Sequence, residues 1–206
     1  MQALLKFSRG IDWLNSLVGK YVIWLILAST VISGINAIVR KVFNYSSNGF
    51  LEVQWYLFAA AFLLAAGYTL LQGEHVKVDV IASRLSKRAQ IWIDIFGFVF
   101  FLTPVCLVIL WYGIPFFIQG YVSNEMSSNA GGLIRWPVYL MMPLGFGLLL
   151  LQGMSELIKR IAFLQGLIED PTAKKAEKTA EEELAESIRR LAQASKGNGA
   201  SAHTAE

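Results

Sequence analysis

The sequence predicts an all-α integral membrane protein: four transmembrane helices, an amphipathic segment before the first, and an interfacial linker helix between spans two and three. Three observations carry this reading. Hydrophobic residues make up 55% of the chain and charged ones only 16%, far from the balance of a soluble domain. The charges are also absent from four windows, residues 21–39, 53–73, 95–124 and 136–155. Each window is about 20 residues or longer, enough to cross ~30 Å of hydrocarbon as a helix. Finally, with the N-terminus inside, 15 of the 18 Lys and Arg residues fall on the inner side of the resulting topology. The preference of basic loops for the cytoplasm then places both termini there.

The chain opens with Leu4, Phe7, Ile11, Leu14 and Val18 at 3-4-3-4 spacing, one face of a helix, with Lys6, Arg9, Asp12 and Asn15 away from that stripe. This segment reads either as a helix lying in the inner interface or as the cytoplasmic start of the first span. The apolar stretch of the first span is too long, and its basic leader too extended, for a cleaved signal peptide. The spans are expected near residues 20–40, 52–73, 92–118 and 136–160, within a membrane domain of residues 1–168. Span one carries Ser29, Ser33 and Ala37 four residues apart, and span two Ala61 and Ala65 beside Ala66 and Gly67. Small residues in that register let helices approach closely in lipid, within one chain or against a partner. Span three contains Pro104 and Pro115, each inviting a kink, and Pro143 is expected to bend span four. Trp24, Trp92, Trp111, Trp136, Tyr112 and Tyr139 stand mostly near the boundaries, where interfacial aromatics collect. Residues 169–206 are rich in Ala, Glu and Lys without an aromatic, and read as a cytoplasmic tail, partly helical or disordered.

Between spans two and three the run "LLQGEHVKVDVI", residues 70–81, brings Glu74, His75, Lys77 and Asp79 together, with Val76, Val78 and Val80 between them. Val78, Ile81, Ala82 and Leu85 share one helical face, so a short amphipathic linker in the interface reconciles valine with charge. The alternation equally permits an extended lead-in. In the first loop Arg40 and Glu52 bracket the outer hairpin. They are readable as two interfacial charges facing water, as an ion pair across the hairpin, or as a substrate contact. The pI near 9.0 follows from the basic inner loops and implies no nucleic-acid partner. No carboxylate or arginine stands deep in a span, where ion pathways declare themselves. The sequence also lacks a P-loop, a metal-ligand cluster and paired carboxylates at catalytic spacing, so neither an enzyme, a cofactor nor a self-sufficient transporter is expected.

Four spans with the order Arg40, Asn44, Glu52, "YLFAAAFLLAAGYTL" and "HVKVD", followed by "PLGFGLLLLQG" in span four, resemble the small membrane subunit (DctQ-like) of tripartite ATP-independent periplasmic (TRAP) transporters over roughly residues 10–165. The resemblance implies a scaffold in a bacterial inner membrane. Its partners would be a large multi-spanning subunit that moves solute and sodium, a periplasmic binding protein that delivers an organic acid or related solute, and membrane lipid. It marks Arg40, Glu52, His75, Lys77 and Asp79 as structural or interface candidates, with no catalytic, cofactor or metal role. The rival readings are a four-helix anchor or a structural partner of another inner-membrane complex. A haem-bearing anchor needs intramembrane histidines, and the two in the chain are His75 and His203.

Overall fold

A computed structural model describes residues 1–45, 47–73 and 85–168. The described chain is all helical apart from short loops. Helix α1 is Gln2–Phe43 and α2 is Asn48–Gln72. The third span runs as α3 (Lys87–Gly97), a π-helical turn (Phe98–Leu102) and α4 (Thr103–Val122). Helix α5, Trp136–Leu164, completes the bundle. Among the described residues, four helices are long and apolar enough to cross a membrane, counting Lys87–Val122 as one. We call the end where α1 begins basal, and the end bearing the loops after α1 and α4 apical.

Local chemistry sets the helix ends. Asn44 closes α1 in the left-handed conformation (φ 50°), which asparagine tolerates better than most side chains. Gly73 closes α2 at φ 70° and returns its N–H to the carbonyls of Thr69 and Leu70. The Ser86 hydroxyl caps α3 by accepting from the Ala89 N–H. In span three, Pro104 has no N–H to offer. The ladder widens just before it, the Thr103 N–H reaching back five residues to the Phe98 carbonyl, so the strain expected at Pro104 is taken up as a π turn. Helices α4 and α5 continue through Pro115 and Pro143 without a break.

Helix α2 packs against both α1 and α5, which also meet each other, and α4 packs on α5. The small surface expected on span two is used inside the bundle. Ala61 and Gly67 are buried, and a Cβ at Gly145 of α5 would stand 2.6 Å from the Leu63 carbonyl oxygen. Only glycine lets these two backbones meet. The matching stripe on span one behaves differently. The Ser29 hydroxyl donates to the Gln54 carbonyl at 3.4 Å, whereas Ser33, Gly34 and Ala37 are exposed, with nothing within 4 Å of a Cβ at Gly34.

For the N-terminal segment the sequence left two readings, and the structure takes the second, the start of the first span. It is no separate interfacial helix, because α1 is continuous over 42 residues, about 63 Å at 1.5 Å per residue. Its buried face is Ser8, Ile11, Asn15, Gly19 and Val22, turned by about 60° from the apolar stripe at ~100° per residue. Leu4 and Phe7 are exposed while Ser8 and Asn15 are buried. The reason is physical: next to lipid, apolar side chains lose nothing by facing outward, and polar ones need a partner within the bundle.

Candidate functional site

Polar side chains gather at both ends of the bundle. At the basal end, α5 presents Gln152, Ser155, Glu156 and Lys159, spaced i, i+3, i+4, i+7, which places them on one face. Helix α1 meets that face with Ser8, Asp12 and Asn15. The Ser8 and Ser155 hydroxyl oxygens are 2.6 Å apart. Asp12 Oδ1 accepts from Ser155 Oγ at 2.7 Å and from Gln152 Nε2 at 2.9 Å. Asn15 Nδ2 donates to Gln152 Oε1 at 3.0 Å. The Asn15 Oδ1 atom has no N–H or O–H donor and lies instead against Gly67, where a Cβ would come within 2.2 Å of it. Gly67 is thus the floor on which the asparagine amide rests.

The charges extend the cluster to the third span. Lys159 bridges Asp12, at 3.2 Å, and Glu156. Arg160 pairs with Glu156 and, through Nε and Nη2 at 3.0 Å each, with Asp94 of α3. Its guanidinium also lies 4.7 Å from the centroid of the Phe98 ring, in the π turn, a favourable cation–ring geometry. Glu156 and Arg160 are nearly fully buried, at 6% and 5% exposure. Such a pair is tolerable because each charge meets an opposite charge and further hydrogen bonds. One cluster therefore joins α1, α3 and α5.

The apical cluster is built on a single carboxylate. Glu52, in the first turns of α2, is 2% exposed. Its Oε1 accepts from the Ser127 hydroxyl and from Asn129 Nδ2 at 2.8 Å, and its Oε2 from the Leu133 N–H at 2.6 Å. All three donors sit on the loop between α4 and α5. That loop is a small hairpin, with a bridge pairing Met126 and Ile134 and a tip turned by Gly131 at φ 71°. Asn48 Nδ2 donates to the Ala130 carbonyl and Tyr56 Oη to the Ile134 carbonyl, each at 3.1 Å. At its root Glu125 accepts from Arg135 at 3.2 Å and from Tyr139 Oη at 2.9 Å. The neighbouring Tyr139 hydroxyl, and then Glu125, push the Arg135 guanidinium further above its ordinary value.

Of the candidates read from the sequence, Glu52 is at the centre of a site, but its partners are loop groups. The pair with Arg40 does not form: Arg40 is exposed at the end of α1. His75, Lys77 and Asp79 lie outside the described residues, as do the linker helix and the tail. The basal cluster was missed, although the polar spacing from Gln152 to Lys159 was its signal. Among the described residues, no group of three His, Cys, Asp or Glu side chains could hold a metal ion. An open apolar cleft of ≈ 450 Å³ between α1, α2 and α5, floored by Ala61, Ala65 and Gly145, carries no charged lining residue.

These arrangements can fasten helices to one another and a loop to a helix. Neither cluster leaves a carboxylate facing a mid-membrane cavity. Compared with known protein families, residues 29–163, more than half of the chain, match the model described as "Tripartite ATP-independent periplasmic transporters, DctQ component". Among curated proteins and among solved structures, nothing matches the chain.

Proposed function

Because the chain belongs to the DctQ component family of tripartite ATP-independent periplasmic transporters, a family of multi-pass membrane transport subunits rather than enzymes, we propose that it is the small scaffold subunit of a sodium-gradient-driven importer. In this reading it sits in the bacterial inner membrane with both termini cytoplasmic, which makes the basal end the cytoplasmic one. It braces a large multi-spanning subunit that moves an organic acid or related solute delivered by a periplasmic binding protein.

The observation that supports this most is the use made of the buried charges. Glu52, Glu156 and Arg160 are each engaged by other groups of the same chain, at the bundle ends. A carrier that couples solute to an ion needs charged or polar groups that can be vacated and refilled near the bilayer centre. Groups locked to one another resist bending instead, as a scaffold requires.

The test is reconstitution. The chain, the large subunit and the binding protein together should give sodium-driven uptake in liposomes, while this chain alone gives none. Uptake by the isolated chain would overturn the scaffold reading. Impermeant labelling of single cysteines, in a Cys106→Ala background, tests the orientation: Ser47→Cys should react from the periplasm and Ser86→Cys should not.

A further inference from the structure

The cations that α1 and α5 carry at the basal end fall into two sets. Lys159 and Arg160 point inward and are held by Asp12, Glu156 and Asp94. Lys6, Arg9 and Lys20, on the first half of α1, are exposed, and among the described residues none of them meets a carboxylate. At ~100° per residue these three fall with Trp13 and Trp24 in one sector of about 60°, roughly 130° round from Ser8, Asn15 and Gly19. Trp13 and Trp24 are 65% and 64% exposed.

From this stripe we infer that the outward face of α1 is a binding site for anionic phospholipid. Indole rings favour the membrane–water interface, with the apolar body toward acyl chains and the N–H toward water. Two of them on the outward face mark it as lying against the bilayer edge. Between and beyond them stand positive charges that the described chain leaves uncompensated. Lys20 is about 6 Å along the axis from Trp24 and about 10 Å from Trp13, with Arg9 about 6 Å further on. Helical side chains lean toward the N-terminus, so the Lys20 ammonium reaches back toward Trp13. The Arg9 Nε donates to its own Leu5 carbonyl at 3.4 Å, which leaves the guanidinium's other N–H groups free to turn outward. A phosphate above Trp13 would take hydrogen bonds from Lys20, while Arg9, whose side chain leans away toward Leu5, and Lys6 one turn on add two further charges. A zwitterionic headgroup brings no net charge to offset three cations, whereas an anionic one does. The long stems of lysine and arginine let the charges find the phosphate plane while their methylenes stay on apolar surface.

The experiment titrates phosphatidylglycerol or phosphatidylcholine against the full chain in mild detergent. Retained lipid is counted by mass spectrometry of the intact complex, and the thermal midpoint is followed in parallel. Four proteins are compared: the wild type, the triple variant K6Q/R9Q/K20Q, the charge-preserving K6R/R9K/K20R, and R40Q/K41Q at the apical end as a control. Among the described residues the three altered side chains make no contact that holds the fold, Arg9 bonding only to its own helix. The wild type should prefer phosphatidylglycerol and be stabilised by it. Removing each charge should weaken that preference on the order of fivefold, roughly 100-fold for the triple variant. The charge-preserving variant and the control should bind as the wild type does. Equal retention of both lipids by the wild type, as expected if an acidic protein segment is the true occupant, overturns the inference. So does undiminished phosphatidylglycerol binding by K6Q/R9Q/K20Q.

Discussion

The two ends of the bundle solve one problem in different ways. At the apical end a single buried carboxylate, Glu52, is satisfied by a loop that folds over it, using one main-chain N–H and two short polar side chains. At the basal end, side chains from three helices satisfy one another, and every bond from Ser8, Asp12 or Asn15 to α5 spans more than 130 residues of sequence. A loop can bend until its amides fit a carboxylate. A helix has already committed its amides to its own ladder, so helices can be joined only by side chains in matching register. The apical cluster is therefore local to one helix end and one hairpin, whereas the basal cluster bears on the packing of the whole bundle. Their positions in the sequence differ too: the apical partners lie within residues 29–163 that match the family, but Ser8, Asp12 and Asn15 precede that range.

Substitutions can separate the two modes. Arg160→Met should be the most damaging, because it leaves Glu156 and Asp94 without their shared guanidinium. Removing one partner of a buried ion pair typically costs about 3–5 kcal/mol, to be read from denaturant titration in detergent. A loss below about 1 kcal/mol would mean that Lys159 carries the cluster alone, and the contrast between the ends would shrink. Glu52→Gln keeps the side chain's shape but replaces the charged acceptor. Its effect should stay in the hairpin, with the Ser127 and Leu133 amides exchanging with solvent on the order of tenfold faster while α1 and α5 hold their protection. Faster exchange at the basal end would show that the clusters are coupled. Arg40→Gln should be the mildest, within about 0.5 kcal/mol of the parent, since Arg40 is exposed at the end of α1. A larger loss would revive the ion pair across the first hairpin.

The bundle was legible because hydrocarbon imposes a length and forbids charge, and both show directly in the four uncharged windows. The sites were legible only in part. Glu52 stood out as a carboxylate at a span end, but its partners could not be read. One is a main-chain N–H, and the others are a serine and an asparagine in a loop whose composition is ordinary. Asp12 and Asn15 read only as polar residues away from the apolar stripe, the face that the usual rule for soluble helices turns inward. That rule reverses beside lipid, and a helical wheel of one segment cannot say which neighbour it will meet. The polar row from Gln152 to Lys159 was visible in retrospect, but its counterpart lies at the other end of the chain.

The π turn before Pro104 carries a consequence for chain length. Asp94, Gly113 and Gly120 all face α5, meeting Arg160, Met142 and Tyr139 respectively. On an unbroken α-helix, Gly113 and Gly120 would stand about 100° and 80° round from Asp94. Discounting one residue brings both within about 20° of it, and a π turn discounts about one residue. The turn therefore behaves as an insertion already absorbed. Deleting one residue between Phe98 and Leu102 should restore a plain helix with its partners still aligned, while the same deletion a few residues further along should twist the apical half of the span away from α5. In alignments with relatives, a single-residue gap is to be expected here, next to the proline that makes the extra residue tolerable.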